Sequence, residues 1–314
     1  MNIILGSGIV GLLAKAILGD DWKVIPFYKS RFFSYNPALD DNFIIADSEI
    51  DPFIKQLMGK VPSKFAYNKA WSIQGQLYPA FDEGICEDWL GNIFGTQIPA
   101  HSIPYYKNRM SLNVYDIRLN EIYKSLVASY MGELAEESQK GKVVKIEDHK
   151  IYREKDVVEY DQIISTIPLD ALCKFVNFNV ELKSKPIHYI HIETKDLDFE
   201  GFNQVMVADK SFSFYKAANI APSRFLIYCQ DELPDPGAYF MAFMKSFDII
   251  DGTSIDGAIP LGDIPSLELI EQQDIFCVGG YAQWDWCADV GSNIKRLVRF
   301  ANRGNKINKG HNVR

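Results

Sequence analysis

The residues best suited to chemistry stand at the start of the chain. Gly6-Ser7-Gly8-Ile9-Val10-Gly11 sets three glycines at the spacing that holds a dinucleotide pyrophosphate. Gly6 allows a tight turn, Gly8 lets the backbone approach the phosphates, and Gly11 lets the next helix pack close. Exposed N–H groups and the helix dipole then attract the anionic charge. An acid that binds a ribose hydroxyl is expected roughly 20 residues past the glycines. Phe27-Tyr28-Lys29-Ser30-Arg31 stand there without a carboxylate. Tyr28 or Ser30 can supply a hydrogen bond, and Lys29 or Arg31 can meet a phosphate, so a 2'-phosphorylated nicotinamide cofactor is compatible with this spot.

Other reactive residue types are dispersed. The five cysteines (Cys86, Cys173, Cys229, Cys277, Cys287) lack C-x-x-C spacing and are expected to be buried thiols of a reduced, cytoplasmic protein. His188 and His191, three apart on an expected strand, point to opposite faces, so no metal site is expected. The adjacent pairs Asp40-Asp41 and Glu136-Glu137 read as solvated carboxylates. No Gly-x-Ser-x-Gly elbow occurs.

The elements around the glycines give them their context. Asn2-Ile3-Ile4-Leu5 reads as a buried strand, Leu12, Leu13, Ala16 and Ile17 repeat at helical spacing, and 22–28 reads as a second strand. Residues 31–51 read as irregular, followed by a short amphipathic helix over 50–58. Between 61 and 104 the rings of Phe65, Tyr67, Trp71, Tyr78, Phe81, Trp89 and Phe94, broken by Pro and Gly, predict a helical or looped cap over a ligand. A helix over 119–134 precedes a hairpin over 142–159, with Val143, Val144 and Ile146 facing inward. A buried strand at 163–167 ends at Pro168, with a helix start after it. Alternation over 186–193, 203–216 and 225–230, together with 238–246, predicts a mostly antiparallel sheet. A strand over 274–282 ends in Gly279-Gly280, a helix follows from about 290 to 301, and the polar tail from 303 reads as frayed.

With 314 residues, 47% hydrophobic and 24% charged, the chain has the composition of a globular protein of one large or two ordinary domains. A net charge of −8 argues against duplex nucleic-acid binding. No apolar run approaches the roughly 18 residues of a membrane span, and with the first strand beginning at once no signal peptide is expected.

Three anchors in order resemble the flavoprotein superfamily of amine oxidases, protoporphyrinogen oxidase and UDP-galactopyranose mutase: the opening glycine turn, 160–172, and 274–284. Asp161 through Pro168 is similar to that family's aspartate, buried strand and Thr-Ile-Pro segment. Gly279-Gly280-Tyr281-Ala282-Gln283-Trp284 resembles its closing Gly-Arg-Tyr-Ala-x-Trp, and Phe214-Tyr215-Lys216 resembles a strand that usually carries Tyr-Arg or His-Arg. Arginine is thus replaced by Gly280 and by Lys216.

The resemblance implies an α/β fold, in which a Rossmann-like FAD-binding domain (1–50, 106–170 and 258–314) is interleaved with a smaller α+β substrate or cap domain (51–105 and 171–257) containing a mostly antiparallel sheet. It implies FAD, with the pyrophosphate on Gly6, Ser7, Gly8, Ile9, Val10 and Gly11 and adenine near Val144. Tyr28, Lys29, Ser30, Arg31 and Thr166 complete the cofactor set, and Gly279, Gly280 and a helix start at Val290, Gly291 and Ser292 would lie beside the isoalloxazine. The function implied is an FAD-dependent oxidoreductase that oxidises a small amine or amino-acid-like group by hydride transfer. The alternatives are a redox-neutral flavoenzyme, either like UDP-galactopyranose mutase or a lyase or isomerase acting on a sugar or modified nucleotide, and a non-catalytic flavin-binding module. Trp71, Tyr78, Tyr215 and Trp284 form an expected amine cage, and Lys216, Tyr215 and Trp284 are the catalytic candidates, with Lys216 holding a water or a substrate carboxylate.

Overall fold

The computed structural model describes residues 1–27, 38–233, 235–241, 244–262, 265–285 and 287–310. Its strands are β1 Asn2–Leu5, β2 Trp22–Ile25, β3 Phe43–Ile45, β4 Lys64–Ile73, β5 Gln76–Tyr78, β6 Ser111–Arg118, β7 Val143–Glu147 and β8 Lys150–Arg153. They continue with β9 Val157–Glu159, β10 Gln162–Ser165, β11 Lys183–Thr194, β12 Gln204–Val207, β13 Phe214–Ala221, β14 Arg224–Cys229, β15 Phe247–Leu261 and β16 Ile275–Cys277. The helices are α1 Ile9–Leu18, α2 Ala38–Asp41, α3 Asp51–Met58, α4 Glu83–Phe94, α5 Ser102–Lys107 and α6 Leu119–Ser138. After them come α7 Leu169–Phe175, α8 Pro236–Met241, α9 Glu268–Glu271, α10 Gly280–Gln283 and α11 Val290–Gly310.

A four-stranded parallel sheet, ordered β16-β10-β1-β2, forms the first layer. Its strands are apolar on both faces because both are covered. Ile4, Val24 and Ile164 pack with Leu12, Leu13, Leu126, Ile294 and Leu297 of α1, α6 and α11. Ile3, Leu5, Ile25 and Ile163 pack with Val143, Ile146 and Ile151 of the β7-β8-β9 sheet and with α7.

The second layer is a nine-stranded sheet, ordered β15-β11-β14-β13-β12-β4-β6-β3 with β5 beside β4. All its pairs are antiparallel except β12 with β4. One face packs Trp71, Met206, Tyr215 and Tyr228 under Trp89, Leu90 and Ile93 of α4. The other packs Ile190, Val205, Ala217 and Ile227 against Phe240 of α8.

Several elements depart from the sequence reading. Residues 64–78 are strands, not a looped cap, because the inward face of β4 carries Tyr67, Lys69 and Trp71, and the lysine interrupts the apolar alternation. The stretch from 236 forms helix α8 before β15 begins at Phe247. Val144 is 58% exposed while Val143 and Ile146 are buried, because the register of β7 with β8 slips between Val143 and Lys145 and breaks the strict alternation of side chains. The tail is helical as far as Gly310. Asp41 and Glu137, read as solvated, are both buried, and Glu137 meets Lys23, Lys140 and Arg153 at 2.6–2.7 Å.

A cavity between the glycine turn and the large sheet

β1 runs into the glycine turn with Gly6 N–H donating to the Ile25 carbonyl at 2.8 Å. Gly6 holds a φ of +114°, and a Cβ there would meet Thr166 Oγ1 at 2.4 Å. A Cβ on Gly11 would strike the Gly6 carbonyl oxygen at 2.1 Å, so these two glycines set the packing of turn, helix and strand. Gly8 differs: its φ is −67°, and a Cβ there would meet nothing within 4 Å. It caps α1 with no side chain bonded to the helix end, so no side chain satisfies the N–H groups of the first turn, and Gly8, Ile9 and Val10 border open space.

Gly8, Ile9 and Val10 form one wall of a cavity of about 450 Å³. Thr166, Gly279, Gly280 and Val290 extend that wall, and the opposite wall is the inner face of the large sheet. Gly279 holds a φ of +108° and lies against Val10, and its N–H donates to Asn293 Oδ1 at 2.9 Å. The start of α11 is capped rather than open: Asp289 Oδ1 accepts from Ser292 N–H at 2.9 Å, and the Ser292 hydroxyl donates to the Asp289 carbonyl at 2.7 Å. The helix start at Val290, Gly291 and Ser292 thus already carries a side-chain cap, while Val290 lines the cavity.

The sheet wall is organised by Asp41, the last residue of α2, which is 2% exposed. Oδ1 accepts from the Tyr67 hydroxyl at 2.6 Å, and Oδ2 accepts from the Tyr228 hydroxyl at 2.7 Å and Gln204 Nε2 at 3.0 Å. Lys216 Nζ stands 2.9 Å from Oδ2 and 3.6 Å from the centroid of the Tyr228 ring. Burial raises the Asp41 carboxyl, but the Lys216 ammonium and the hydrogen bonds from Lys216, Tyr67 and Tyr228 outweigh it and hold the group below its usual value. The partners come from four strands brought into register: Lys69 pairs with Gln204, Met206 with Lys216, and Lys216 with Tyr228. Between Phe214 and Lys216 the register slips by one residue, a bulge that turns Tyr215 and Lys216 both toward the cavity. The Tyr215 carbonyl accepts from Trp89 Nε1 at 2.7 Å, which ties the bulge to α4.

Two further cations line the cavity. Lys69 is half-buried, and burial followed by the nearby Lys216 charge lowers its ammonium to about 8. Arg109 stacks over Tyr105 at 4.4 Å and meets Asp289 Oδ2 through Nη2 at 3.2 Å. Near its mouth His101 Nε2 lies 2.8 Å from Asp285 Oδ1, with Cys287 beside them. Burial pushes the Cys287 thiol up to about 12, and Asp285 Oδ1 also accepts from Cys287 N–H, so the trio is a hydrogen-bonded contact.

The structure thus brings Gly8, Ile9, Val10, Thr166, Tyr215, Lys216, Gly279, Gly280 and Val290 to one cavity. Trp284 does not line it: the ring is buried under the parallel sheet, with Nε1 donating to the Leu261 carbonyl at 3.2 Å. Trp71 is wholly buried against Trp89, and Tyr78 is 39% exposed, so the expected four-ring cage is not assembled. The exposed Val144 does not line the cavity. Tyr28, Lys29, Ser30 and Arg31 lie outside the described residues. Asp41, Lys69, Arg109 and Asp289 escaped the sequence reading; an adjacent acid pair and a lysine inside an aromatic run were the only signals of the first two.

No family model matches the chain, and no curated protein matches it. Among solved structures, reduced UDP-galactopyranose mutase is similar with a TM-score of 0.65 and 13% identity, over 97% of this chain and 93% of that one. An oxidoreductase from Methanosarcina mazei gives 0.60 at 10% identity, over 95% and 99%. Cyclohexylamine oxidase from Brevibacterium oxydans IH-35A gives 0.60 at 9% identity, over 98% and 99%. These likenesses establish the fold that the sequence resemblance implied, an α/β architecture shared by a mutase and an amine oxidase. Among the described residues no helix is long and apolar enough to cross a membrane.

Proposed function

We propose that the chain is an FAD-dependent oxidoreductase that oxidises a small amino-acid-like substrate in the cavity between the glycine turn and the large sheet. The observation that carries this reading is the continuity of that cavity from the open face of Gly8 to the buried Asp41–Lys216 centre. The turn fits a pyrophosphate, because Gly8 leaves room for it and the uncapped N–H groups of α1 meet it. In this reading 1–50, 106–170 and 258–314 form the cofactor unit and 51–105 with 171–257 the substrate unit, β3 and β6 being shared with the large sheet.

Bound FAD supplies a hydride acceptor. The chain's own residues orient the substrate and exclude water. Lys216 carries three N–H donors, of which Asp41 takes one, so others can hold a water or a polar substrate atom. With Lys69, Lys216 and Arg109 on the walls beside Asp41, Asp285 and Asp289, the lining offers opposite charges to both the carboxylate and the ammonium of an amino acid. A redox-neutral reaction on a nucleotide-linked sugar is the second reading, favoured by the Lys69 and Arg109 cations in the lining and by the likeness to reduced UDP-galactopyranose mutase.

The test is the visible spectrum of the purified protein, repeated on the supernatant after acid denaturation. Released FAD supports the cofactor assignment, and anaerobic bleaching by an amino acid supports the oxidase. Turnover of a nucleotide sugar only after prereduction supports the second reading. A colourless protein that takes up no added FAD overturns both.

A further inference from the structure

Among the described residues the cavity lining carries three cations, Lys69, Arg109 and Lys216, and three carboxylates, Asp41, Asp285 and Asp289, but Asp285 is engaged by His101, so the pairing leaves one cation over. Asp41 is matched to Lys216 and saturated by two phenols and an amide. Asp289 meets Arg109 through Nη2 and caps α11. Lys69 has no carboxylate or hydrogen-bond acceptor on its ammonium among the described residues, and Arg109 Nη1 is buried with no hydrogen-bond partner among them. Both line the same cavity on neighbouring chain segments, Lys69 N–H donating to the carbonyl of Met110 at 2.8 Å, and the Arg109 charge is felt at the Lys69 ammonium. A half-buried ammonium beside a buried unmatched guanidinium N–H is a costly arrangement unless an anion completes it.

We propose that Lys69 and Arg109 form an oxyanion subsite of the cavity, which takes the carboxylate or phosphoryl group of the substrate. The subsite deepens the reading above, on which it rests for the cavity being a substrate site. It differs from the place the sequence suggested: Lys216 is already neutralised by Asp41, so the anion belongs on the other pair. Arg109 is held by Tyr105 on its flat face and Asp289 on one nitrogen, which fixes the guanidinium and leaves the buried Nη1 without a hydrogen-bond partner. The low value of Lys69 fits, since Lys216 and Arg109 both oppose its charge and a bound anion would reverse that effect.

The experiment is calorimetric titration of the full-length protein with acetate and benzoate in one arm and inorganic phosphate and methyl phosphate in the other. Saturable binding in either arm is expected, weakened about tenfold or more by Lys69→Gln and by Arg109→Gln, as for loss of a charged hydrogen bond. Lys107→Gln, at an exposed position outside the cavity lining, should bind as the wild type does. Binding confined to the carboxylates assigns a carboxylate substrate group, and binding confined to the phosphates assigns a phosphoryl group. If Arg109→Gln unfolds because Asp289 has lost its partner, Arg109→Gln/Asp289→Asn is scored in its place. Absence of binding in both arms, or undiminished binding by the folded variants, overturns the subsite. The cofactor reading fails separately: a protein that releases FAD yet binds no anion loses only the subsite, and one that binds anions but takes up no flavin keeps it.

Discussion

Converting Asp41 to asparagine leaves the Lys216 ammonium buried without its counter-charge, the costly way to break an ion pair. Asp41→Asn is therefore expected to lose about 3–5 kcal/mol in urea denaturation at pH 7. A loss below about 1 kcal/mol would show that Lys216 finds solvent instead. Because the folded-state value of Asp41 lies below its unfolded one, its contribution is fully present above about pH 4 and lost as the pH falls through the folded value. Lys69 has the opposite sign. Its ammonium is lowered to about 8 from 10.5, so its charge costs stability below pH 8, and the cost fades between 8 and 10.5. The groups that face it are Lys216 and Arg109, which add to the cost, and Asp41 and Asp289, which offset it. Lys69→Met should raise the melting temperature at pH 7, with the gain shrinking as the pH approaches 10; equal gains at both pH values would remove the electrostatic explanation. A cavity lysine that weakens its own fold is what a binding role requires. Neither role was legible in the sequence. Lys216 was found through its neighbours Phe214 and Tyr215, but the acid that neutralises it lies far away in the chain and meets it only through tertiary packing.

At the scale of the element, the glycine turn separates folding from binding within six residues. Gly11→Ala places a methyl group 2.1 Å from the Gly6 carbonyl oxygen, so α1 must move off β1, at a cost of about 1–3 kcal/mol. Gly8→Ala meets no protein atom and has an ordinary φ, so its stability should stay near that of the wild type. The added methyl group does occupy the approach to α1, and FAD affinity should fall about tenfold or more. Equilibrium dialysis with FAD, alongside thermal melts of both variants, checks the pair. A Gly8→Ala protein that keeps its FAD affinity would detach the turn from the pyrophosphate. This turn was readable because its requirements are local: backbone space, a helix start and a short apolar strand. β4 was not, because strand recognition relies on alternating polarity and its inward face mixes Tyr67, Lys69 and Trp71. A lysine on that face serves the cavity rather than the core, so the site itself obscured the strand that holds it. The bulge at Tyr215 is equally hidden, since it exists only in relation to β14.

The whole molecule is tied together at the cavity. β3 and β6 flank helices of the parallel layer, with Tyr115 and Ile117 in its core, yet both strands belong to the large sheet. Asp41 adds a second tie, joining α2 to strands β4, β12, β13 and β14. The sequence reading expects 106–118 on the cofactor side; that β6 also pairs with β4 in the large sheet was not readable, because contiguity in the chain is the only guide to domain limits when pairing is unseen. With two layers sharing strands and a buried ion pair, binding at the glycine turn should stabilise the distant sheet. Free FAD at about 100 times its dissociation constant contributes about 2.7 kcal/mol to whatever unfolds as one unit with the site. Hydrogen exchange followed by mass spectrometry should then show slower exchange in β13 and β14 as well as in α1, with similar increments for the most protected amides. In Asp41→Asn the increment in β13 and β14 should shrink while that in α1 persists. Protection confined to α1 and its neighbours in the wild type would mean that the layers open independently, and that Asp41 orients Lys216 without coupling the sheet to the cofactor.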